Sequence, residues 1–259
     1  MRLARRNPPP RTPTPDLSRK WEASRKVSPL LTSFAPGAHA VVIGATGGIG
    51  AALADLLGAD PGVATVTRLS RATGFDLTDP ASIAAAAKSL CAAPDLVIVA
   101  TGLLHGDGIA PERALRQLDA AAFARAFAVN ATGPALVAQA MLPLFAKGRK
   151  TLFAALSARV GSISDNRLGG WHAYRASKAA LNQLLRTIAI EQARSHPDSM
   201  VIGLHPGTVD TGLSKPFQKN VATLLDPATS AAKLLAVIDA AGPEMSGHLY
   251  DWQGTEIAP

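Results

Sequence analysis

The sequence predicts an α/β fold, a doubly wound parallel sheet in a single domain, on three observations. From His39 onward, short β-branched runs alternate with Ala/Leu-rich segments. The runs are apolar throughout, as strands are when helices cover both faces of a sheet. The first of them also ends in a glycine-rich turn that opens a helix.

Taken in order, the pattern places strands near 39–43, 63–68, 95–100, 150–156, 200–204 and 247–251. Helices fall between them at 48–58, 79–92, 119–146, 171–195 and 227–241. Asp79-Pro80 is a helix start, an Asp cap followed by Pro at the first helical position. Residues 1–36, with Pro8-Pro9-Pro10, Pro13 and Pro15 among scattered cations and no periodic apolar positions, read as a disordered basic, Pro-rich tail. The folded domain is then 37–259.

Charge follows the same division. The formal charge is +7, but residues 1–37 hold eight basic and two acidic groups, so the remainder is close to neutral. With no basic stripe or aromatic platform in the domain, no nucleic-acid partner is expected. The Leu96–Val99 run is far shorter than the ~20 residues that span a bilayer, so no membrane partner is expected either. Cys91 is the single cysteine, which excludes an intrachain disulfide and a multi-cysteine metal site. A reducing, cytoplasmic setting follows, no metal ligands are assigned, and Cys91 itself reads as a small buried hydrophobe in the second helix.

Ala40–Ile43 runs into Gly44-Ala45-Thr46-Gly47-Gly48-Ile49-Gly50 and then into an Ala/Leu helix. In a strand–turn–helix, Gly44 permits the tight turn, Gly48 lets backbone approach a pyrophosphate, and Gly50 lets the helix pack on the strand. The helix N-terminus offers unpaired N–H groups to phosphate. No G-K-[ST] follows, so an ATP-type P-loop is excluded. At the end of the next strand, Thr67-Arg68-Leu69-Ser70-Arg71 offers cations and no carboxylate for an adenosine ribose, which favours NADP(H) over NAD(H). Further on, Tyr174 and Lys178 lie four residues apart in a helical pattern and so share a face. An ammonium beside a phenol favours phenolate and suits the pair to exchange a proton with a carbonyl or alcohol.

The turn matches T-G-x-x-x-G-x-G except for Ile43, and with the Y-x-x-x-K pair the chain resembles the short-chain dehydrogenase/reductase family over residues 38–259. The run Ala158 to Asn166, continuing through Gly169-Gly170-Trp171, resembles its C-factor-like branch of small carbonyl reductases. The resemblance implies a Rossmann-type domain and further site residues. Asp76 and Leu77 would stand beside adenine, Ala100-Thr101-Gly102 would take the place of N-N-A-G, and Asn130 would hold a water relaying protons to Lys178. Pro206, Gly207, Val209 and Thr211 would lie over the nicotinamide. Relatives carry a Ser where this chain has Ala158, so Ser157 is assigned in its stead, with Ser162 the alternative.

The function so implied is reduction of a small aldehyde or ketone, with Tyr174 as general acid, in a homodimer or homotetramer. Leu213 to Leu225 would border the substrate. The alternatives are a dinucleotide-binding signalling protein with little turnover and a binding protein acting through its basic tail.

Overall fold

A computed structural model describes residues 28–106, 108–219 and 221–259. The strands are β1 (Ala38–Ile43), β2 (Val63–Leu69), β3 (Leu96–Val99), β4 (Thr151–Leu156), β5 (Ser199–His205), β6 (Thr208–Val209), β7 (Leu224–Leu225), β8 (Leu249–Asp251) and β9 (Glu256–Ile257). The α-helices are α1 (Gly48–Ala59), α2 (Pro80–Lys88), α3 (Ala120–Phe127), α4 (Gly133–Met141), α5 (His172–Ala193) and α6 (Pro227–Ala240). The main sheet runs β2-β1-β3-β4-β5-β8-β9, parallel except for the closing antiparallel pair β8–β9. This is the doubly wound Rossmann-type architecture read from the sequence.

Alternate residues of each strand feed two cores. Val42, Ile98, Ala154 and Ile202 pack with Leu53 and Leu57 of α1 and Leu234 and Ile238 of α6. Val41, Val97, Phe153 and Val201 pack with Ile83 of α2, Val137 and Met141 of α4, and Leu181 and Leu185 of α5. Both sets are almost fully buried, which is why the strands are apolar without alternation. Three helices begin on Asp caps: Asp79 accepts from the Ala81 N–H, Asp119 from Ala122 and Asp226 from Thr229.

Three expectations need revision. Residues 28–36 dock on the domain and are not part of a tail: Leu31 and Phe34 enter the core, and Asp60 Oδ2 accepts from the backbone N–H groups of Leu30 and Leu31, each at 2.9 Å. Lys150 secures the same segment, donating to Ser33 Oγ and to the carbonyls of Ile238, Asp239 and Ala241 at the end of α6. The remainder of the expected tail, residues 1–27, lies outside the described residues.

Second, α2 ends at Lys88 and not at 92. Ser89 closes it, its hydroxyl donating to the Ala86 carbonyl, and Cys91 falls in the following loop, exposed.

Third, the helix expected over 119–146 is interrupted at Ala128–Thr132 by a turn of π-helix. Pro134 has no N–H for the Asn130 carbonyl and its ring crowds that oxygen, so the ladder widens there. The whole run Ala120–Leu144 is long and apolar enough to cross a membrane by composition. Here it flanks the sheet, its second half in the core and α3 against α5.

Asp60 is buried and satisfies three backbone donors, those of Leu30, Leu31 and Gly62. Asp60→Ala strands them beneath the docked segment, and we expect a loss of about 2–3 kcal/mol in urea unfolding. An unchanged midpoint would show that residues 28–36 contribute nothing to stability.

Candidate active site

The chain leaves β1 for β2 on one side and returns to β3 on the other, so β1 and β3 part at their carboxyl ends and leave a crevice between the loops that follow. Such a switch point is where ligands bind in open α/β sheets. Gly44 sits there at φ +84°, and a Cβ on it would lie 3.0 Å from the Ala100 carbonyl oxygen. On Gly50 a Cβ would stand 2.2 Å from the Gly44 oxygen. Neither position admits a side chain, as the sequence implied.

Gly47 caps α1 without a side-chain bond, which leaves the first N–H groups of α1 unpaired toward the crevice. Thr46 is exposed on this turn, and the methyl of Thr211 covers Gly48, where a Cβ would approach it to 2.6 Å. A cavity of about 300 Å³ extends from Gly48 and Ile49 past Ala100, Thr101 and Gly102 to Tyr174 and Lys178, with Pro206 and Thr211 above. Thr101 Oγ1 is buried there without a partner. Open helix N–H groups, a glycine floor and an orphaned hydroxyl suit a dinucleotide with its pyrophosphate on α1.

At the adenosine end, Ser70 Oγ is buried without a partner, and Arg71 opens a short 3₁₀ turn, exposed. Arg68 is drawn the other way, paired to Asp55 at 2.8 Å and donating to the Ala54 carbonyl at 3.0 Å. Asp76 accepts from Thr78 N–H and Oγ1. Those bonds, with Arg71 nearby, hold its carboxyl below the usual carboxylate range. Leu77 is buried against Gly133, so its side chain belongs to the core and only its backbone is free for a ligand.

Tyr174 and Lys178 share one face of α5. Lys178 is 2% exposed, donates to the Leu156 carbonyl at 2.7 Å, and has its Nζ 5.9 Å from the centre of the Tyr174 ring. Burial pushes Lys178 down to about 7 and Tyr174 up to about 12. The expected lowering of the phenol by its ammonium neighbour is therefore not seen, because desolvation disfavours both charged forms. At neutral pH Tyr174 is a protonated donor.

Asn130, fully buried in the π turn, accepts from the Leu103 N–H and donates to the Leu103 carbonyl and to Ser177 Oγ. It thereby clamps the loop after β3 to α5.

Ser157 lies in the wall of the cavity beside Tyr174, but its hydroxyl is given to Asn182 Oδ1 at 2.6 Å. Ser162 is buried away from the cavity wall, among Ser164, Asp165 and Pro259. Ala158, with no hydroxyl, lines the cavity at the position where the resemblance implied a Ser.

Beyond Tyr174 a second cavity, about 530 Å³, opens toward Trp171, Leu213 and Phe217. Gly169, Gly170 and Trp171 follow one another in left-handed backbone, at φ +63°, +66° and +52°. For a tryptophan this is a rare conformation, held here by the Glu112 carbonyl that accepts its N–H. The ring meets Phe217 edge-on at 5.0 Å and Tyr174 at 6.2 Å. Leu213, Ser214 and Phe217, from the segment 213–225 expected to border the substrate, line this cavity. Pro206, Gly207, Val209 and Thr211 complete the rim, and Gly207 at φ +80° packs so close to Trp252 that a Cβ would fall 2.8 Å from its ring.

Sequence reasoning did not single out Trp171, Asn182, or His205, Arg159, Arg167 and Arg175, which also line this cavity. Only the Gly-Gly before Trp171 carried a visible signal, a pair of residues that tolerate left-handed backbone.

A doubly wound sheet with a glycine turn and, at its switch point, a half-buried Tyr174 beside a buried Lys178 defines a Rossmann-class oxidoreductase. The chain belongs to the short chain dehydrogenase family, whose pattern it matches over residues 38–222. It is 42% identical over 145 residues to C-signal of Myxococcus xanthus, covering 56% of this chain and 82% of that one. It is 32% identical over 182 residues to the 1-hydroxy-2-glutathionyl-2-methyl-3-butene dehydrogenase of Rhodococcus sp. strain AD45, covering 70% and 77%. In fold it resembles the NADPH-bound carbonyl reductase from chicken fatty liver, with a TM-score of 0.74 at 22% identity over 91% of this chain and all of that one.

Lys178 links folding to pH. Its folded value of about 7 lies below the unfolded 10.5, so between these values the unfolded chain binds the extra proton and stability rises with pH. Between pH 7.5 and 9.5 we expect Lys178→Met to reduce the slope of unfolding free energy by about 1.4 kcal/mol per pH unit. Parallel slopes in the two proteins would mean that Lys178 stays charged in the fold.

Proposed function

We propose that the protein is an NADP(H)-dependent reductase of small aldehydes or ketones. The observation that carries this reading is the placement of a protonated Tyr174 between the dinucleotide crevice and a mostly apolar cavity. The bound cofactor would supply hydride to the carbonyl carbon. Tyr174 gives its proton to the carbonyl oxygen as charge develops there. Lys178, ionising near neutrality, stabilises the phenolate and returns the proton, while Asn130 holds the loop beside Gly102. The apolar walls of Trp171, Leu213 and Phe217 keep water from the reacting atoms. A homodimer or homotetramer is part of this proposal.

The likeness to C-signal, together with Ala158 in place of the expected Ser, favours a second reading, a dinucleotide-binding signalling protein with little turnover. NADPH oxidation across a panel of aldehydes, ketones and diketones separates the two.

Tyr174→Phe keeps the ring and removes only the proton carrier. We expect cofactor affinity within about twofold and a loss of at least about a hundredfold in kcat. Activity retained in this variant would remove Tyr174 from the chemistry.

With Arg68 committed to Asp55, Arg71 is the cation left for a 2′-phosphate. Arg71→Ala should weaken NADPH about ten- to a hundredfold, the loss of a charge-assisted bond of about 1.5–3 kcal/mol, and leave NADH nearly unchanged. Equal effects on both, measured by fluorescence titration, would return the NADP(H) preference to question.

A further inference from the structure

The cavity beyond Tyr174 is apolar on one side and cationic on the other. Arg159, Arg167 and Arg175 all line it, and Asp165 is the only carboxylate among the residues that do. Arg159 is shared at long range between Asp165, 3.4 Å away, and Asp251, 3.3 Å away. Arg175 is different. Its Nε donates to the Gly170 carbonyl and its Nη1 to the Val160 carbonyl, so the guanidinium is held in place, and among the described residues Nη2 has no acceptor and no carboxylate is paired to it. Arg167 makes no hydrogen bond or ion pair among the described residues.

The three cations therefore face two carboxylates, and the wall keeps one net positive charge. Partial burial of Arg175 already disfavours its charge, which raises the return on pairing it with an anion. A fixed guanidinium with a free edge is suited to a planar carboxylate.

We infer that the substrate is a carbonyl compound carrying a carboxylate. Its aldehyde or ketone lies at Tyr174, its apolar body lies against Trp171 and Phe217, and its carboxylate is held by Arg175 and Arg167. This rests on the reductase reading above. The carboxylate is an anchor and is unchanged: the carbonyl carbon receives hydride from NADPH, its oxygen receives the Tyr174 proton, and alcohol and NADP⁺ leave.

The test compares 4-formylbenzoate with its methyl ester, which present the same aldehyde with and without the anion, in the NADPH-dependent assay. The acid should show at least about a tenfold higher kcat/KM. Arg175→Gln and Arg167→Gln should each lower the ratio of kcat/KM for the acid to that for the ester severalfold or more, the ester reporting any general disturbance of the cavity wall. Arg167→Gln breaks no hydrogen bond or ion pair among the described residues and serves if Arg175→Gln proves unstable. Calorimetry with NADP⁺-loaded protein should show 4-(hydroxymethyl)benzoate binding and its methyl ester binding at least tenfold more weakly. Ester kinetics equal to or better than the acid's, or equal binding of the two alcohols, overturns the anchor and leaves the reductase reading standing. Selective binding of the acid without turnover of either aldehyde supports the anchor and removes the reductase reading.

Discussion

An amine buried beside the end of β4 organises this molecule. Lys178 reaches the Leu156 carbonyl at 2.7 Å with almost none of its surface exposed. A buried amine with a single short acceptor requires that helix and strand end meet within narrow limits. The next loop must also pass tightly over α5. A Cβ on Gly161 would lie 2.8 Å from that of Lys178, so glycine there is a packing requirement. With α5 pinned in this way, the side chain one turn earlier, Tyr174, has only one place to project, into the space between the glycine turn and the cavity behind it.

The cost of that burial and the use of the site have the same origin. Desolvation brings Lys178 to about 7 and holds Tyr174 as a neutral phenol, which in the proposed reaction would let one group give a proton and the other exchange it near neutrality. The pair also stays in register because Asn130 closes the opposite wall. Pro134 opens the helix into a π turn, and the widened turn places Asn130 inward, where it bonds Leu103 and Ser177 at once. A regular helix over 120–141 would place Asn130 differently and lose that clamp. Weak helix propensity at Asn and the missing donor at Pro thus act together to build part of the site.

Much of this was legible in the sequence because it follows from local rules. Strand–helix alternation, the glycine spacing and the four-residue offset of Tyr174 and Lys178 are each set by backbone geometry, and every predicted main-sheet strand up to β8 forms. What escaped depends on contacts distant along the chain. The docking of residues 28–36 needs Asp60 and Asp239, and nothing in a Pro-rich segment announces those partners. Arg68 and Arg71 look equivalent in sequence, yet the first is taken by Asp55 on α1 and the second is not. The π turn is implicit in Pro134, although a helical pattern reads straight through it.

The most instructive departure is Ala158. In the proposed reaction the carbonyl oxygen has one donor, Tyr174, since Ser157 is committed to Asn182 and no hydroxyl replaces it at 158. A single hydrogen bond fixes an oxygen but leaves the carbonyl free to turn about it. Productive hydride transfer needs the carbon held face-on as well, and a loss of alignment costs rate quickly. That alignment must then come from contacts remote from the reacting carbon. The molecule has two sources for it, the aromatic wall built on the left-handed Trp171 and the guanidinium edge of Arg175. Binding energy spent at such distant points can orient the reacting group in place of the missing hydroxyl. On this account the site has moved its substrate discrimination outward, from the carbonyl oxygen to the far end of the cavity.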